Sequence, residues 1–176
     1  MYPWRAVTVG VALSASLLVM PTAAEARSVV VLDRAGDTAE PGLDTTRARF
    51  GNRDHVVVTT LTFTADRPGK VIVAIGTRDR RVTAVIESRH RRQGPDDVLL
   101  FNPRGTARPC SGLTSKWQRP SATLRIRLSA RCVQGGDYGA IRAWVLTEPL
   151  HDYGDVDYAP EDARGDLAFT EWLPRG

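Results

Sequence analysis

Outside its N-terminus this sequence lacks long apolar runs, which argues against a membrane span in the mature chain. At the N-terminus, Arg5 precedes an apolar segment from Val7 to Met20, and Ala24-Glu25-Ala26 has the small-x-small pattern that a signal peptidase reads. That segment is shorter than the roughly 20 residues of a membrane-spanning helix. We predict a signal peptide at residues 1–26, a single domain at residues 27–176 and a secreted protein. The alternative is an uncleaved anchor.

Cysteine is scarce, since Cys110 and Cys132 are the only two, 22 positions apart. No histidine stands near either one, which argues against a zinc site. Two cysteines in an exported chain favour one disulfide, which the chain-entropy model values at roughly 3 kcal/mol for a loop of this length. We predict a structural Cys110–Cys132 bridge. The alternative is a pair of buried thiols.

The short motifs of common catalytic sites are also missing. There is no Gly-x-Ser-x-Gly, no His-Glu-x-x-His and no phosphate-binding glycine loop, and the histidines His55, His90 and His151 are scattered. His151-Asp152 could join a distant serine in a triad, but no serine has a recognisable nucleophile context. We therefore predict that the protein is not an enzyme, with a hydrolase as the less favoured alternative.

No window carries a sustained helical period, whereas several show the alternation typical of strands. Val56 to Thr64 alternates two β-branched faces, and Ala122 to Leu128 alternates apolar residues with arginine and threonine. Lys70 to Thr77 is continuously apolar, which predicts a central strand covered on both faces. With about eight or nine such strands between Pro and Gly turns, we predict an all-β fold, an antiparallel β-sandwich of the jelly-roll or immunoglobulin-like kind.

Two acidic stretches stand on turn-forming residues near the two ends of the mature chain. Calcium prefers six to eight oxygen ligands, often carboxylates in loops. An EF-hand is excluded because the first stretch has Thr38 where the loop needs glycine. A looser calcium site is possible if the first and last strands are neighbours, and its ligands would be Asp33, Asp37, Asp44, Asp155 and Asp157. The alternative is that these aspartates bond their own backbone in turns.

Arginine gathers at the two ends of one predicted strand. These positions predict contact with an anionic polymer such as a teichoic acid, an acidic polysaccharide or a nucleic acid. The alternative is a pair of solvated loops that keep the sheet soluble. The residues that we assign to anion binding are Arg78, Arg80, Arg81, Arg91 and Arg92.

The tryptophans and tyrosines of the mature chain all lie in its C-terminal part. Trp144 stands within an apolar strand, so we predict that it belongs to the core. Trp117, Tyr153 and Tyr158 are the aromatic residues that we expect to be exposed. Exposed aromatic faces pack against the C–H faces of sugar rings. We therefore predict that these three residues bind a glycan.

Several short segments together resemble a group of secreted actinobacterial β-sandwich proteins. The similarity includes Leu32 to Asp37, Leu43 to Arg47 and Cys110 to Leu113, and it continues through Trp117 to Cys132. The opening of the mature chain is also similar to sandwich modules related to carbohydrate-binding family 9 and the DOMON domains. That resemblance implies a scaffold that holds sugar, haem or calcium. A haem-ligating methionine is absent, because Met1 and Met20 both lie in the predicted signal peptide.

These observations together predict a secreted, non-enzymatic binding module. The first partner that we expect is a cell-envelope glycan, with calcium as a cofactor that orders the acidic loops. The alternative partner is an extracellular anionic polymer bound by the arginine-rich loops. The sequence does not indicate an oligomeric state.

Overall fold

The computed structural model describes residues 28–38, 42–150 and 156–176, so the predicted signal peptide lies outside the described residues. In these ranges the chain forms ten strands and three single-turn 3-10 helices, and no described helix is long and apolar enough to cross a membrane. The strands are β1 Ser28–Leu32, β2 Thr45–Arg53, β3 Val56–Phe63, β4 Gly69–Thr77, β5 Arg80–His90, β6 Asp97–Phe101, β7 Leu113–Gln118, β8 Thr123–Ser129, β9 Ile141–Glu148 and β10 Asp157–Ala159.

The strands form two five-stranded antiparallel sheets that enclose one core. The first sheet has the order β1-β2-β3-β8-β7, and the second sheet has the order β10-β9-β4-β5-β6. Every pairing between neighbours is antiparallel. The predicted all-β class and antiparallel sandwich are therefore confirmed.

Alternation of side chains explains why the sheets face each other as they do. In β8, Leu124, Ile126 and Leu128 are buried, whereas the intervening Arg125 and Arg127 are exposed. A one-residue shift would exchange these two sets, so the register is fixed by burial of the apolar set. The same rule places Val57, Leu61 and Phe63 of β3 in the core.

The centre of the second sheet is β4, as the continuous apolar run predicted. It pairs with β5 on one side and with β9 on the other. Val71, Val73 and Ile75 are fully buried against the first sheet. Each buried valine or isoleucine of this kind stabilises the fold by about 1.5–3 kcal/mol relative to an exposed one.

The predicted disulfide is present between Cys110 and Cys132, whose Cα atoms lie 5.9 Å apart. Cys110 precedes β7 and Cys132 follows β8, so the bridge closes the open end of the β7–β8 hairpin. The first sheet therefore has a covalent link along the edge where it would otherwise open.

The sequence did not indicate every element of the two sheets, and it misplaced Trp144. After β10 the segment Gly165 to Trp172 forms no strand, and the isolated bridges in this region are at Leu167 and Leu173. The strands β7 and β10 were not predicted, because one is mostly polar and the other has three residues. Trp144 is half-buried on the outer face of the second sheet, since Ala143 and Val145 take the core positions.

Candidate functional site

The acidic stretches meet at one end of the sandwich, which we call the acidic end and define by Asp33, Asp37, Asp44, Asp157 and Glu161. Asp33 follows β1, Asp44 precedes β2, and Asp157 begins β10. The Thr45 N–H donates to Asp157 Oδ2 at 2.7 Å, which ties β10 to the start of β2. The Gly36 N–H donates to Asp44 Oδ2 at 2.8 Å. Asp155, the fifth predicted calcium ligand, lies outside the described residues.

Burial and neighbouring negative charges raise the pKa values of two carboxyl groups at the acidic end. Burial, with the nearby charge of Asp157, raises the pKa of Asp33 to about 7. Burial also raises the pKa of Asp157 to about 6, although the hydrogen bond from Thr45 opposes that shift. Asp33 Oδ2 and Asp44 Oδ1 are buried oxygens without a hydrogen-bond partner. The acidic end therefore relieves its charge by taking up protons near neutral pH.

The acidic end does not have the geometry of a metal site. Among the described residues, no three or more His, Cys, Asp or Glu side chains are arranged so that they could hold a metal ion. The two unpartnered oxygens are suitable donors for calcium, but a full ligand set is not assembled around them. Calcium binding stays a prediction, and calorimetric titration with calcium tests it directly.

Trp117 is not the exposed platform that the sequence predicted. Its ring is half-buried against the core and stacks on His90, with ring centroids 4.3 Å apart. It also stacks on Phe63 at 5.5 Å, and its Nε1–H donates to Ser88 Oγ at 3.1 Å. The reason is that Trp117 occupies an inward position of β7, a strand that the sequence did not indicate.

The three predicted glycan residues do not form one surface in the described chain. Tyr158 is half-buried on β10, opposite Leu146 of β9, at one edge of the second sheet. Trp117 belongs to the edge strand β7 of the first sheet, and Tyr153 lies outside the described residues. Glycan binding by this set stays a prediction without a shared platform.

The predicted arginine loops are partly occupied by interactions within the chain. Arg78 lies over the ring of Trp172, 5.4 Å from its centroid, and Arg91 Nη2 contacts Asp97 Oδ2 at 2.9 Å. Arg80, Arg81 and Arg92 are exposed, but they stand at opposite ends of β5, as the sequence indicated. These loops therefore do not make one continuous basic surface.

His90, inside the second arginine stretch, has a structural environment that sequence reasoning missed. It is 2% exposed, and its Nδ1 and Nε2 lie 2.8 Å from Asp96 and 2.9 Å from Asp66. Each ring nitrogen is therefore within hydrogen-bond distance of one carboxylate. His90 therefore joins the loops on either side of β4 and β5, and it is not available to an external anion.

A separate basic surface lies on the outer side of the first sheet. We call it the basic face. Its five strands contain no aspartate or glutamate at all. All the cations of these strands are exposed and share the outward parity. They are Arg47, Arg49, Arg53, Lys116, Arg125 and Arg127.

Strand register places three of these cations in one row across the sheet. Arg49 pairs with Thr60 of β3, Thr60 pairs with Arg125 of β8, and Arg125 pairs with Lys116 of β7. Neighbouring strands are about 4.8 Å apart, so the positive charges of one row are spaced by about 5–10 Å. Like charges directly opposite each other in a sheet are destabilising, as at Arg125 and Lys116.

The cations of the basic face have no acidic partners in the described part of the chain. The ion pairs found there involve Lys70, Arg89, His90 and Arg91, all of the second sheet or its loops. On the basic face, Arg49 Nη2 donates to Ser28 Oγ at 3.2 Å, a neutral partner. The positive charge of this surface is therefore uncompensated by the described protein.

A shallow cavity of about 190 Å³ opens in the middle of the basic face. It lies over β3 and the neighbouring strands of the first sheet. The cavity is lined by Ser28, Arg49, Gly51, Arg53, Val58, Thr60 and Arg125.

Two Arg-x-Arg pairs in the sequence belong to this surface, but the alternation of the strands does not show that the two pairs lie on one face. Arg47-x-Arg49 and Arg125-x-Arg127 mark the solvent side of two strands far apart in the chain. Their proximity depends on β3, which pairs with both β2 and β8. Without that topology, each pair is only the polar half of an ordinary half-buried strand.

The described chain is a two-sheet antiparallel β-sandwich with one disulfide. Comparison with protein-family models, curated proteins and solved structures found no match. The resemblance to secreted actinobacterial proteins and to the carbohydrate-binding modules stays a prediction. The functional argument therefore depends on the surfaces described above.

Proposed function

We propose that the protein is an extracellular binding module for an anionic polymer, which lies across the basic face. The observation that carries the proposal is the set of exposed cations on the first sheet, with no carboxylate in any of its strands. This partner belongs to the alternative class that the sequence predicted. The residues differ, because the predicted arginine loops are split between the two ends of β5.

The chemistry of arginine supports an external anion as the missing counter-charge. A carboxylate cluster can lower its own repulsion by protonation, but a guanidinium group stays charged at any physiological pH. Five of the cations on the basic face are arginine, namely Arg47, Arg49, Arg53, Arg125 and Arg127. Their repulsion is relieved only by ions from solution or by a bound polyanion.

The form of the surface also suits a polymer. The cations extend over four neighbouring strands from β2 to β7, with threonine positions between them. Arginine presents a planar fork of donors that bonds well to phosphate, sulfate and carboxylate oxygens. An extended chain of repeating anions can therefore contact several guanidinium groups at once, and an anionic cell-envelope polymer fits the predicted secretion.

Binding to immobilised heparin and polyphosphate tests the proposal. The wild type is expected to bind at low salt and to release as salt rises, since each ionic contact displaces bound counterions. The double variant Arg49→Glu with Arg125→Glu is expected to lose binding by about tenfold for each lost contact.

A matched control separates a local surface from net charge. Arg80→Glu with Arg81→Glu changes the charge by the same amount at the β4–β5 turn of the second sheet. We expect this variant to retain most of the binding. Equal loss in both double variants, or no binding of the wild type to either polymer at low salt, would refute the proposal.

A further inference from the structure

The lining of the cavity in the basic face includes one glycine in the interior of a strand. Gly51 lies in β2, where it pairs with Ser28 on one side and Val58 on the other. A Cβ atom built on Gly51 would have its nearest neighbours at 3.9 Å, the Ser28 Cβ and the Val58 carbonyl oxygen. Its backbone φ is not in the left-handed region. Neither conformation nor a close neighbour therefore requires glycine at this position.

Glycine in the interior of a strand lowers the stability of the fold, so its presence at position 51 calls for an explanation. It destabilises a strand by roughly 0.5–1 kcal/mol relative to alanine. It often marks a place where a ligand or another backbone comes close to the chain. A Cβ atom on Gly51 would be in ordinary contact with its neighbours, and Gly51 lines the cavity, so a larger side chain at this position would take up cavity volume that a ligand could use.

The cavity wall offers donors from several directions. Arg49 and Arg53 flank Gly51 along β2, and Arg125 stands two strands away on β8. Thr60 and Ser28 add hydroxyl groups, and no acidic side chain lines the cavity. A planar carboxylate offers two oxygens, which one guanidinium fork satisfies. A phosphate or sulfate group offers three or more oxygens that point in different directions, which suits three separate guanidinium groups.

We propose that this cavity is a subsite for one tetrahedral oxyanion, a phosphate or sulfate group of the polymer. The proposal rests on the function proposed above and narrows it to polymers that carry such groups. Polymers that carry only carboxylates bind the basic face without using the cavity.

Filling the cavity without changing any charge tests this subsite. Gly51→Val adds an isopropyl group at a position that lines the cavity, and Gly51→Ala adds a single methyl group whose nearest neighbours would be at 3.9 Å, an ordinary contact distance. Thr114→Val on β7 is the control, because it adds an apolar group to the same face outside the cavity. Thermal unfolding of each variant verifies that the fold is intact.

Affinities for polyphosphate, dextran sulfate and polyglutamate are then measured at one salt concentration. We expect Gly51→Val to weaken binding of polyphosphate or dextran sulfate by about tenfold, with a smaller loss for Gly51→Ala. Polyglutamate binding and the Thr114→Val variant should be unchanged. Selective loss of polyphosphate identifies phosphate as the group, and selective loss of dextran sulfate identifies sulfate.

Two results would overturn the subsite in different ways. Wild-type affinity of both Gly51 variants for all three polymers, or an equal loss for polyglutamate, removes the subsite and leaves the basic face as the binding surface. Failure of the wild type to bind any of the three polymers removes the proposed function itself.

Discussion

The two outer faces of the sandwich differ in how the charges of their cationic side chains are neutralised. The basic face of the first sheet carries cations and threonines without acidic partners. The second sheet has acidic partners for two cations of its outer face, since Lys70 forms an ion pair with Glu148 and Arg89 with Glu87, whereas Arg80 and Arg81 at the start of β5 are exposed. Its outer face also has an apolar row across four strands, formed by Trp144, Ala74, Val85 and Phe101. Among the strands described, those of the first sheet carry cations without a single aspartate or glutamate beside them.

The acidic end shows by contrast why the basic face is informative. Both regions concentrate charge of one sign, but the aspartates of the acidic end can take up protons. The raised pKa values of Asp33 and Asp157 express that relief. Arginine has no such route. An uncompensated arginine surface is thus a stronger indication of an external partner than an aspartate cluster of similar size.

The largest expected effect comes from the covalent link of the first sheet. Replacing both Cys110 and Cys132 by serine should lower the free energy of unfolding by about 3 kcal/mol, because the unfolded chain regains the entropy of the closed loop. Hydrogen exchange should rise first in β7 and β8, which the bridge holds together. Uniform exchange in both sheets would contradict this local role of the bridge.

The acidic end should make stability depend on pH. The folded-state pKa of Asp157 lies above its unfolded value, so its stabilising proton is fully bound at low pH and lost as pH rises through about 6. From about pH 4 to pH 8, wild type should lose on the order of 2 kcal/mol relative to Asp157→Asn. Urea unfolding of both proteins at several pH values measures this difference, and a constant difference would contradict the prediction.

Removing an acidic partner on the second sheet sharpens the comparison between the faces. Glu148→Gln leaves the largely buried Lys70 ammonium without its carboxylate, so the free energy of unfolding should fall by about 1–3 kcal/mol. Arg125→Gln removes an exposed cation that has no such partner, and we expect no loss of stability. Chemical denaturation of the two variants tests this, and equal destabilisation would show that the two faces do not differ in their charge balance.

Adding an acidic partner to the basic face should break the comparison. Thr60 pairs with both Arg49 and Arg125, so Thr60→Glu places a carboxylate between two guanidinium groups. We expect stability to rise by about 0.5–1 kcal/mol and polyanion binding to fall. Thr60→Gln is the control of similar size, and it should change neither quantity as much. Tighter polyanion binding by Thr60→Glu would contradict the account.

The sequence predicted those strands in which apolar and polar side chains alternate clearly along the chain. The alternation in Val56 to Phe63 and in Leu124 to Leu128 predicted two strands that the structure contains, and the two cysteines allowed a single pairing. Trp117 was misjudged because β7 alternates half-buried and exposed residues with little apolar content. The Trp117 side chain points inward because Trp117 pairs with the buried Leu124 of β8, and this pairing is not evident from the sequence.

The candidate surface could not be predicted for a different reason. Arg49 and Arg125 are 76 residues apart (125 minus 49), and only their shared neighbour β3 brings them to one face. Sequence analysis identifies clusters of arginines that are adjacent in the chain, such as Arg80 and Arg81. A charged surface, however, contains the arginines that strand pairing brings together, and these can be far apart in the chain.

The most direct test of the basic face is to map where a polyanion contacts the protein. In a titration of the wild type with polyphosphate, followed by amide NMR shifts, we expect the largest changes in β2, β3 and β8, centred on Gly51 and Thr60. Amides of the β4–β5 turn at Arg80 and Arg81 should change little. Shifts centred on that turn, or no localised shifts at low salt, would contradict the central claim.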